Sequence, residues 1–158
     1  MNIVFLDIDG VLNSRNMEKD DVVLLDSWRL CRRKINIINR FTKVTESKIV
    51  LSSVWRDFED IDNKLKDCGL EAEIIGHTPH GGRMSVRGNE IHQWLKDNEK
   101  ILGTSYYYFH NYVIFDDDSD MLLWQKENFF ACDNSVGITE NVTYRARMFL
   151  ERTTSKGY

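Results

Sequence analysis

Ile3-Val4-Phe5-Leu6-Asp7-Ile8-Asp9-Gly10-Val11-Leu12-Asn13 is the stretch that decides the fold. Four apolar residues run directly into an acid, a second acid follows two positions on, and a glycine then lets the backbone turn. A short unbroken apolar run is the pattern of a strand buried on both faces, as in a parallel sheet. On that reading Asp7 and Asp9 stand at the carboxyl end of the strand, where open α/β sheets place their ligands. Two carboxylates held that close repel each other unless a cation or a shared proton compensates. The pair therefore predicts a metal-dependent reaction.

Working outward, the same punctuation recurs. Lys48-Ile49-Val50-Leu51 ends in Ser52-Ser53, and Glu73-Ile74-Ile75-Gly76 ends in the turn-rich loop from His77 to Arg83 around Pro79. Tyr112-Val113-Ile114-Phe115 ends in Asp116-Asp117-Asp118, and Phe129 to Asp133 reads as a last strand. Helical patterns lie between these runs. Trp28, Cys31, Ile35, Ile38 and Phe41 recur at helical spacing, with Arg29, Arg32, Arg33 and Lys34 forming a basic, solvated outer face. Phe58 to Cys68 reads as a helix stopped by Gly69. Asn89 to Asn98 is a helix on Ile91, Trp94 and Leu95, and Thr139 caps a final helix carrying Val142, Ala146, Phe149 and Leu150. Ser14 to Asp21 reads as loop, and Tyr106 to His110 as an aromatic approach to a strand. Strand-like runs alternating with helical patterns predict an α/β fold: a single Rossmann-like domain, its sheet mainly parallel, with helices on both faces. The domain is expected to span residues 1–152, with a flexible polar tail over 153–158.

Bulk properties narrow the class. The chain has 158 residues, 42% hydrophobic and 29% charged, which fits one domain with a sizeable core. A net charge of -4 argues against a strongly basic nucleic-acid coat but not against a local basic patch. No apolar stretch approaches a membrane span, and no export signal is evident, so a cytoplasmic protein is expected. Cys31, Cys68 and Cys132 are odd in number, widely spaced and without a CxxC pair, which reads as reduced thiols.

In a parallel sheet all strand carboxyl ends meet at one edge. Asp7 and Asp9, Ser52 and Ser53, and the acids from Asp116 to Asp120 are thus predicted to converge. Acids and serines often simply begin loops, but two acid clusters and a hydroxyl pair, each directly behind a buried-type strand, are more than turns require. At this point the residues resemble the haloacid dehalogenase-like (HAD) phosphohydrolases. Phe5-Leu6-Asp7-Ile8-Asp9-Gly10-Val11-Leu12-Asn13 is similar to their first motif, DxDG. Leu51-Ser52 is similar to the second, Arg87 ahead of a helix to the third, and Phe115-Asp116-Asp117 with Asp120 beyond to the fourth. The words Ser52-Ser53-Val54-Trp55-Arg56, Gly76-His77-Thr78-Pro79, Arg87-Gly88-Asn89-Glu90-Ile91 and Val136-Gly137-Ile138-Thr139 carry a closer resemblance. It is to small capless HAD domains of the RNA-repair and polynucleotide phosphatase type.

The resemblance implies a chemistry and roles for residues. Asp7 is the implied nucleophile, forming an aspartyl-phosphate, and Asp9 the implied acid/base. Ser52 and Arg87 are implied to bind the transferring phosphoryl group. Mg²⁺ is the implied cofactor, held by Asp7, the Asp9 carbonyl and Asp116, with Asp117 or Asp120 supporting. Arg83 is a rival to Arg87. The intervals between motifs are too short for a full cap domain, so an open site acting on a large substrate is expected, with RNA or DNA ends favoured. Ser53, Trp55, Arg56, Arg83 and His80 are expected at the substrate-binding rim, with packing under the second-motif loop as the alternative for Trp55. Metal binding by His77 and His80 is not expected. The rival functions are a nucleotide or other small-molecule phosphatase and a non-catalytic binding module on the same fold. A receiver-like signalling domain fits badly, because the strand after the first long helix ends in Ser52-Ser53 and the last in Asp133.

Overall fold

The structure, a computed structural model, describes residues 1–82 and 85–155. Its strands are β1 (Asn2–Leu6), β2 (Val22–Leu25), β3 (Trp28–Cys31), β4 (Ser47–Leu51), β5 (Ile74–His77), β6 (Tyr112–Asp116) and β7 (Phe129–Ala131). The helices are α1 (Arg32–Thr45), α2 (Ile61–Asp67), α3 (Arg87–Asp97), the single turn α4 (Glu99–Leu102) and α5 (Glu140–Ser155). Five strands form one sheet in the order β5-β4-β1-β6-β7, and every pairing in it is parallel.

The apolar runs are unbroken because β1, β4 and β6 are covered on both faces. On one face Val4, Leu6, Ile49, Leu51, Val113 and Phe115 pack with Ile35, Ile38 and Phe41 of α1 and Val142, Ala146 and Leu150 of α5. On the other, Ile3, Phe5, Val50 and Ile114 pack against Ile91, Trp94 and Leu95 of α3. Alternate residues of one strand thus feed opposite cores. The fold is a single α/β domain of the Rossmann-like kind.

The chain leaves β1 toward β4 on one side and returns to β6 on the other. That reversal of strand order puts a crevice at the carboxyl ends of β1 and β6, the position where such sheets bind ligands. Main-chain hydrogen bonds carry the ladder one residue beyond the strands: Asp7 N to Phe115 O at 3.0 Å, Ser52 N to Leu6 O at 3.0 Å, Thr78 N to Leu51 O at 2.9 Å and Cys132 N to Asp116 O at 2.9 Å.

The segment after the first motif departs from the sequence reading. Trp28 and Cys31 are not the start of a helix. Val22–Leu25 and Trp28–Cys31 form an antiparallel hairpin, with Leu25 opposite Trp28 and the two-residue turn Asp26-Ser27 between them. Asp26 takes the left-handed conformation (φ 52°) that such a turn requires and that Asp tolerates better than most residues. Helix α1 begins only at Arg32. The hairpin is pinned at its base by Cys31 N donating to Leu12 O (2.8 Å) and at its tip by Lys64 Nζ on Asp26 Oδ2 (2.8 Å).

Other boundaries shift less. Helix α2 is shorter than expected, since Phe58 precedes it, and α3 starts at Arg87 rather than Asn89. Tyr106–Tyr108 is a 3₁₀ turn. Thr139 Oγ1 accepts from Val142 N at the start of α5 (3.3 Å), and α5 runs to Ser155, past the Thr153 at which the tail was expected to begin. Among the described residues no helix is long and apolar enough to cross a membrane.

Candidate active site

Asp7 is the first residue past β1, and its Oδ1 accepts from the Ile8 N–H at 2.8 Å. Asp116 closes β6 and is fully buried; its Oδ1 accepts from Asp118 N (2.9 Å) and its Oδ2 from Arg87 Nε (3.2 Å). Asp117 follows, and one carboxylate oxygen from each of Asp7, Asp116 and Asp117 lies within 4.8 Å of the others. Gly10 makes this possible. Its φ is 69°, and a Cβ built on it would lie 2.4 Å from Asp117 Cγ, so the turn after β1 must pass beneath the Asp117 side chain with no side chain of its own.

Three carboxylates in one crevice perturb one another. Burial, followed by the charge of Asp7, pushes Asp116 up to about 7. Burial raises Asp7 also, against the opposing pull of Arg87 and of a hydrogen bond from Ser53. Asp117 is raised, again chiefly by burial. Charged carboxylates are destabilised here unless a cation is added. A cluster of hard oxygen donors with spare lone pairs fits Mg²⁺ or a similar divalent ion.

Arg87, the first residue of α3, is the cation already present: NH2 lies 3.9 Å from Asp7 Oδ1 and Nε 3.2 Å from Asp116 Oδ2. Its place is fixed by Asp120, whose Oδ2 accepts from Arg87 N (2.8 Å) and whose carbonyl accepts from Gly88 N (3.2 Å). Asp120 therefore caps α3 and is not one of the three clustered acids; its other oxygen is buried with no partner among the described residues.

Asp9 is held apart from the cluster. Oδ1 accepts from Asn13 Nδ2 and Oδ2 from Trp55 Nε1, each at 2.8 Å, and Asn13 Oδ1 in turn accepts from Gly10 N at 2.8 Å. Ser52 is fully buried at the end of β4, and its hydroxyl has no partner among the described residues. The Thr78 hydroxyl is orphaned in the same way behind β5. Unpaired buried hydroxyls are costly, and here they stand along the same sheet edge as Asp7.

Two residues expected at the rim are internal. Trp55 is 2% exposed, its ring enclosed by Trp28 and Phe58 (centroids 5.5 and 5.4 Å), which leaves no face for a base. Arg56 has a side chain only 4% exposed. Its NH1 donates to the carbonyls of Ser52 (3.2 Å) and Ser53 (3.0 Å), and its NH2 to Glu90 Oε2 (3.1 Å). Both residues build the loop after β4, which for Trp55 is the packing alternative. Ser53 is likewise buried, its Oγ accepting from Trp55 N at 3.3 Å. Arg83 lies outside the described residues. His77 and His80 are hydrogen-bonded to Asp62 (2.8 Å) and Asp57 (2.6 Å), and His80 Nδ1 also lies 3.0 Å from Arg56 NH2.

Glu90 is a site residue that the sequence reading passed over. Nearly buried, it bridges Arg56 and Arg87, with Oε2 3.5 Å from Arg87 NH1, and so ties the loop after β4 to the start of α3. Its signal was present: an acid three residues after Arg87 and four before Trp94, on the buried stripe of the helix.

Residues 3–142 match the family of HAD domains in Swiss Army Knife RNA repair proteins. The chain belongs to this family. No curated protein matches it. Within this HAD domain the Asp7–Asp9–Gly10 turn, Ser52, Arg87 and the Asp116–Asp117 pair all come to the carboxyl edge of the sheet.

Proposed function

We propose that this HAD domain is a Mg²⁺-dependent phosphomonoester hydrolase that works through an aspartyl-phosphate on Asp7 and acts on nucleic-acid ends. The observation that carries the reading is a division of labour between two acids. Asp7 sits among Asp116, Asp117 and Arg87, whereas the Asp9 carboxylate is held outside that group by Asn13 and Trp55.

An Asp7 oxygen forms a bond to phosphorus as the bond to the leaving oxygen breaks, and Asp9 delivers a proton to that oxygen. Water then attacks the phosphorus, its proton passes to Asp9, and the Asp7 carboxylate is released with inorganic phosphate. The orphaned Ser52 hydroxyl is a ready donor to a phosphoryl oxygen, and Arg87 balances the charge of the transferring group. Asp7, Asp116, Asp117 and the Asp9 carbonyl would hold Mg²⁺, which would supply the charge that lets an anionic nucleophile approach an anionic ester. The three free, buried cysteines suit a reducing compartment such as the cytoplasm. The preference for nucleic-acid ends rests on the RNA-repair family and on intervals between the motifs that are too short for a full cap domain.

The class is tested with p-nitrophenyl phosphate, with and without Mg²⁺. Metal-dependent turnover that disappears in Asp7→Asn is expected. An inactive wild type, or an Asp7→Asn protein with full activity, overturns it. A panel of 3′- and 5′-phosphorylated DNA and RNA oligomers beside free nucleotides tests the substrate.

A further inference from the structure

We propose that the cleft beside Asp9, walled by Trp28, Arg29 and Arg15, binds the nucleic-acid strand on the leaving-group side of the scissile phosphate, so that the substrate is a polynucleotide end and not a mononucleotide. The inference rests on the phosphatase reading above and deepens it.

The cleft measures about 420 Å³ and is lined by Asp9 and Gly10, by Ser27, Trp28 and Arg29 of the hairpin, and by Asn134. It therefore adjoins the acid assigned to the leaving oxygen. Among its described lining residues Asp9 is the only carboxylate, while Arg15 and Arg29 both line it and both are exposed. Neither guanidinium has an ion-pair or hydrogen-bond partner among the described residues; Arg15 acts on Asp133 only from a distance, behind the two hydrogen bonds from Ser135 that hold that acid down. Two unneutralised guanidiniums in one cleft, on a chain of net charge -4, are complementary to an anion richer than the scissile group alone.

Trp28 supplies the second element. Trp28 is 52% exposed and lines the cleft, while its ring packs on Phe58 (5.9 Å, interplanar 29°) and on Trp55 (5.5 Å). Trp55 is the residue that holds Asp9, so the exposed ring and the proton donor belong to one aromatic stack. The hairpin that carries Trp28 and Arg29 is fixed at base and tip by the Cys31–Leu12 and Lys64–Asp26 hydrogen bonds. On the other wall, Arg15 N donates to Asn134 O (3.1 Å) and Asn16 N to Ser135 O (3.2 Å), which holds the Arg15 loop in place.

A rigid exposed indole flanked by unpaired guanidiniums is the combination that binds single-stranded nucleic acid: bases stack on the ring and backbone phosphates meet the cations. A mononucleotide brings no phosphate beyond the one at Asp7, and would leave both arginines without an anion. A strand delivers its next phosphodiesters to them.

The experiment compares kcat/KM for a phosphorylated tetranucleotide, the matching mononucleotide, a phosphopeptide and p-nitrophenyl phosphate over a salt series. Wild type, Arg15→Ala, Arg29→Ala and Trp28→Leu are assayed. The tetranucleotide is expected to be the best substrate for wild type by about tenfold or more. Each arginine variant is expected to flatten the log–log salt dependence by roughly 0.7–0.9. The oligonucleotide-to-p-nitrophenyl-phosphate ratio should fall about tenfold in Trp28→Leu. Wild-type ratios and salt slopes in all three variants, or a mononucleotide or phosphopeptide preferred by wild type, would overturn the inference. Failure of the phosphatase reading shows separately, as a wild type inactive on every ester. In that event, anisotropy of a fluorescein-labelled strand without terminal phosphate, bound to Asp7→Asn with and without Arg29→Ala, still decides the cleft. Weaker binding in the double variant supports it, and equal binding or none overturns it.

Discussion

Trp55 Nε1 donates to Asp9 Oδ2 across 2.8 Å, joining the loop after β4 to the turn after β1. Since Trp55 is buried, its indole does two jobs, filling space and orienting a carboxylate. Trp55→Phe removes the donor and keeps a ring. It is expected to cost about 1.5–3 kcal/mol of stability, as for a hydrogen bond to a charged group, and to lower kcat more than it raises KM. Trp55→Ala also opens a cavity, at about 3–5 kcal/mol. Urea unfolding and p-nitrophenyl phosphate kinetics on the two variants check this; equal kcat in Trp55→Phe and wild type would show that the bond does not position Asp9.

Gly10 and Gly103 form a matched pair for separating backbone strain from a steric role. Both are left-handed, φ 69° and 71°, but a Cβ on Gly10 meets Asp117 whereas one on Gly103 meets nothing within 4 Å. Gly103→Ala should cost only about 1–2 kcal/mol, the penalty for a left-handed residue with a side chain. Gly10→Ala adds displacement of Asp117, and the Mg²⁺ concentration for half-maximal activity is expected to rise by an order of magnitude or more. Metal titration of turnover in both variants makes the comparison, and identical titrations would remove Asp117 from the metal site.

How far the sequence discloses this architecture depends on the range of the interactions involved. The runs ending at Leu6, Leu51 and Asp116 are legible because burial on both faces leaves an uninterrupted apolar signature. The ends of those runs then place Asp7, Ser52 and Asp116 at one sheet edge. The hairpin is not legible, because Trp28 and Cys31 happen to fall at helical spacing from Ile35 and the Asp26-Ser27 turn lacks glycine. Arg56 reads as a rim group, and Trp55 as either a rim or a packing group, because their partners, Glu90 and Asp9, lie 34 and 46 residues away. A local pattern carries no trace of such pairing.

Glu90→Gln is expected to be among the most damaging single changes in the domain outside the core. Arg56 and Glu90 are an internal ion pair at 3.1 Å with side chains 4% and 10% exposed. Neutralising one member leaves the other charge buried, at about 3–5 kcal/mol. Arg87 also loses its contact with Glu90, so activity should fall beyond the effect of reduced stability. Thermal unfolding, with kinetics measured well below the transition, separates the two. A loss of stability below about 1 kcal/mol would mean that water screens the pair as at a surface.

The acid cluster sets the sign of the pH dependence in metal-free protein. Asp116 has an ordinary value of 3.8 and is pushed up to about 7 in the fold, chiefly by burial and then by Asp7. Between these values the folded state binds more protons than the unfolded state, so stability falls as pH rises. The contribution is fully present below 3.8 and is lost as pH climbs through about 7. Asp7 and Asp117, also raised, add in the same direction. In chelator, the midpoint of urea unfolding is therefore expected to drop between mildly acidic and mildly alkaline buffer, and Asp116→Asn should flatten that drop. Mg²⁺ would bind the ionised carboxylates, so its stabilisation should be larger on the alkaline side, reversing the trend. Metal-free stability that rises over this interval, or an Asp116→Asn protein with the wild-type slope, would show that the three acids do not share one crevice.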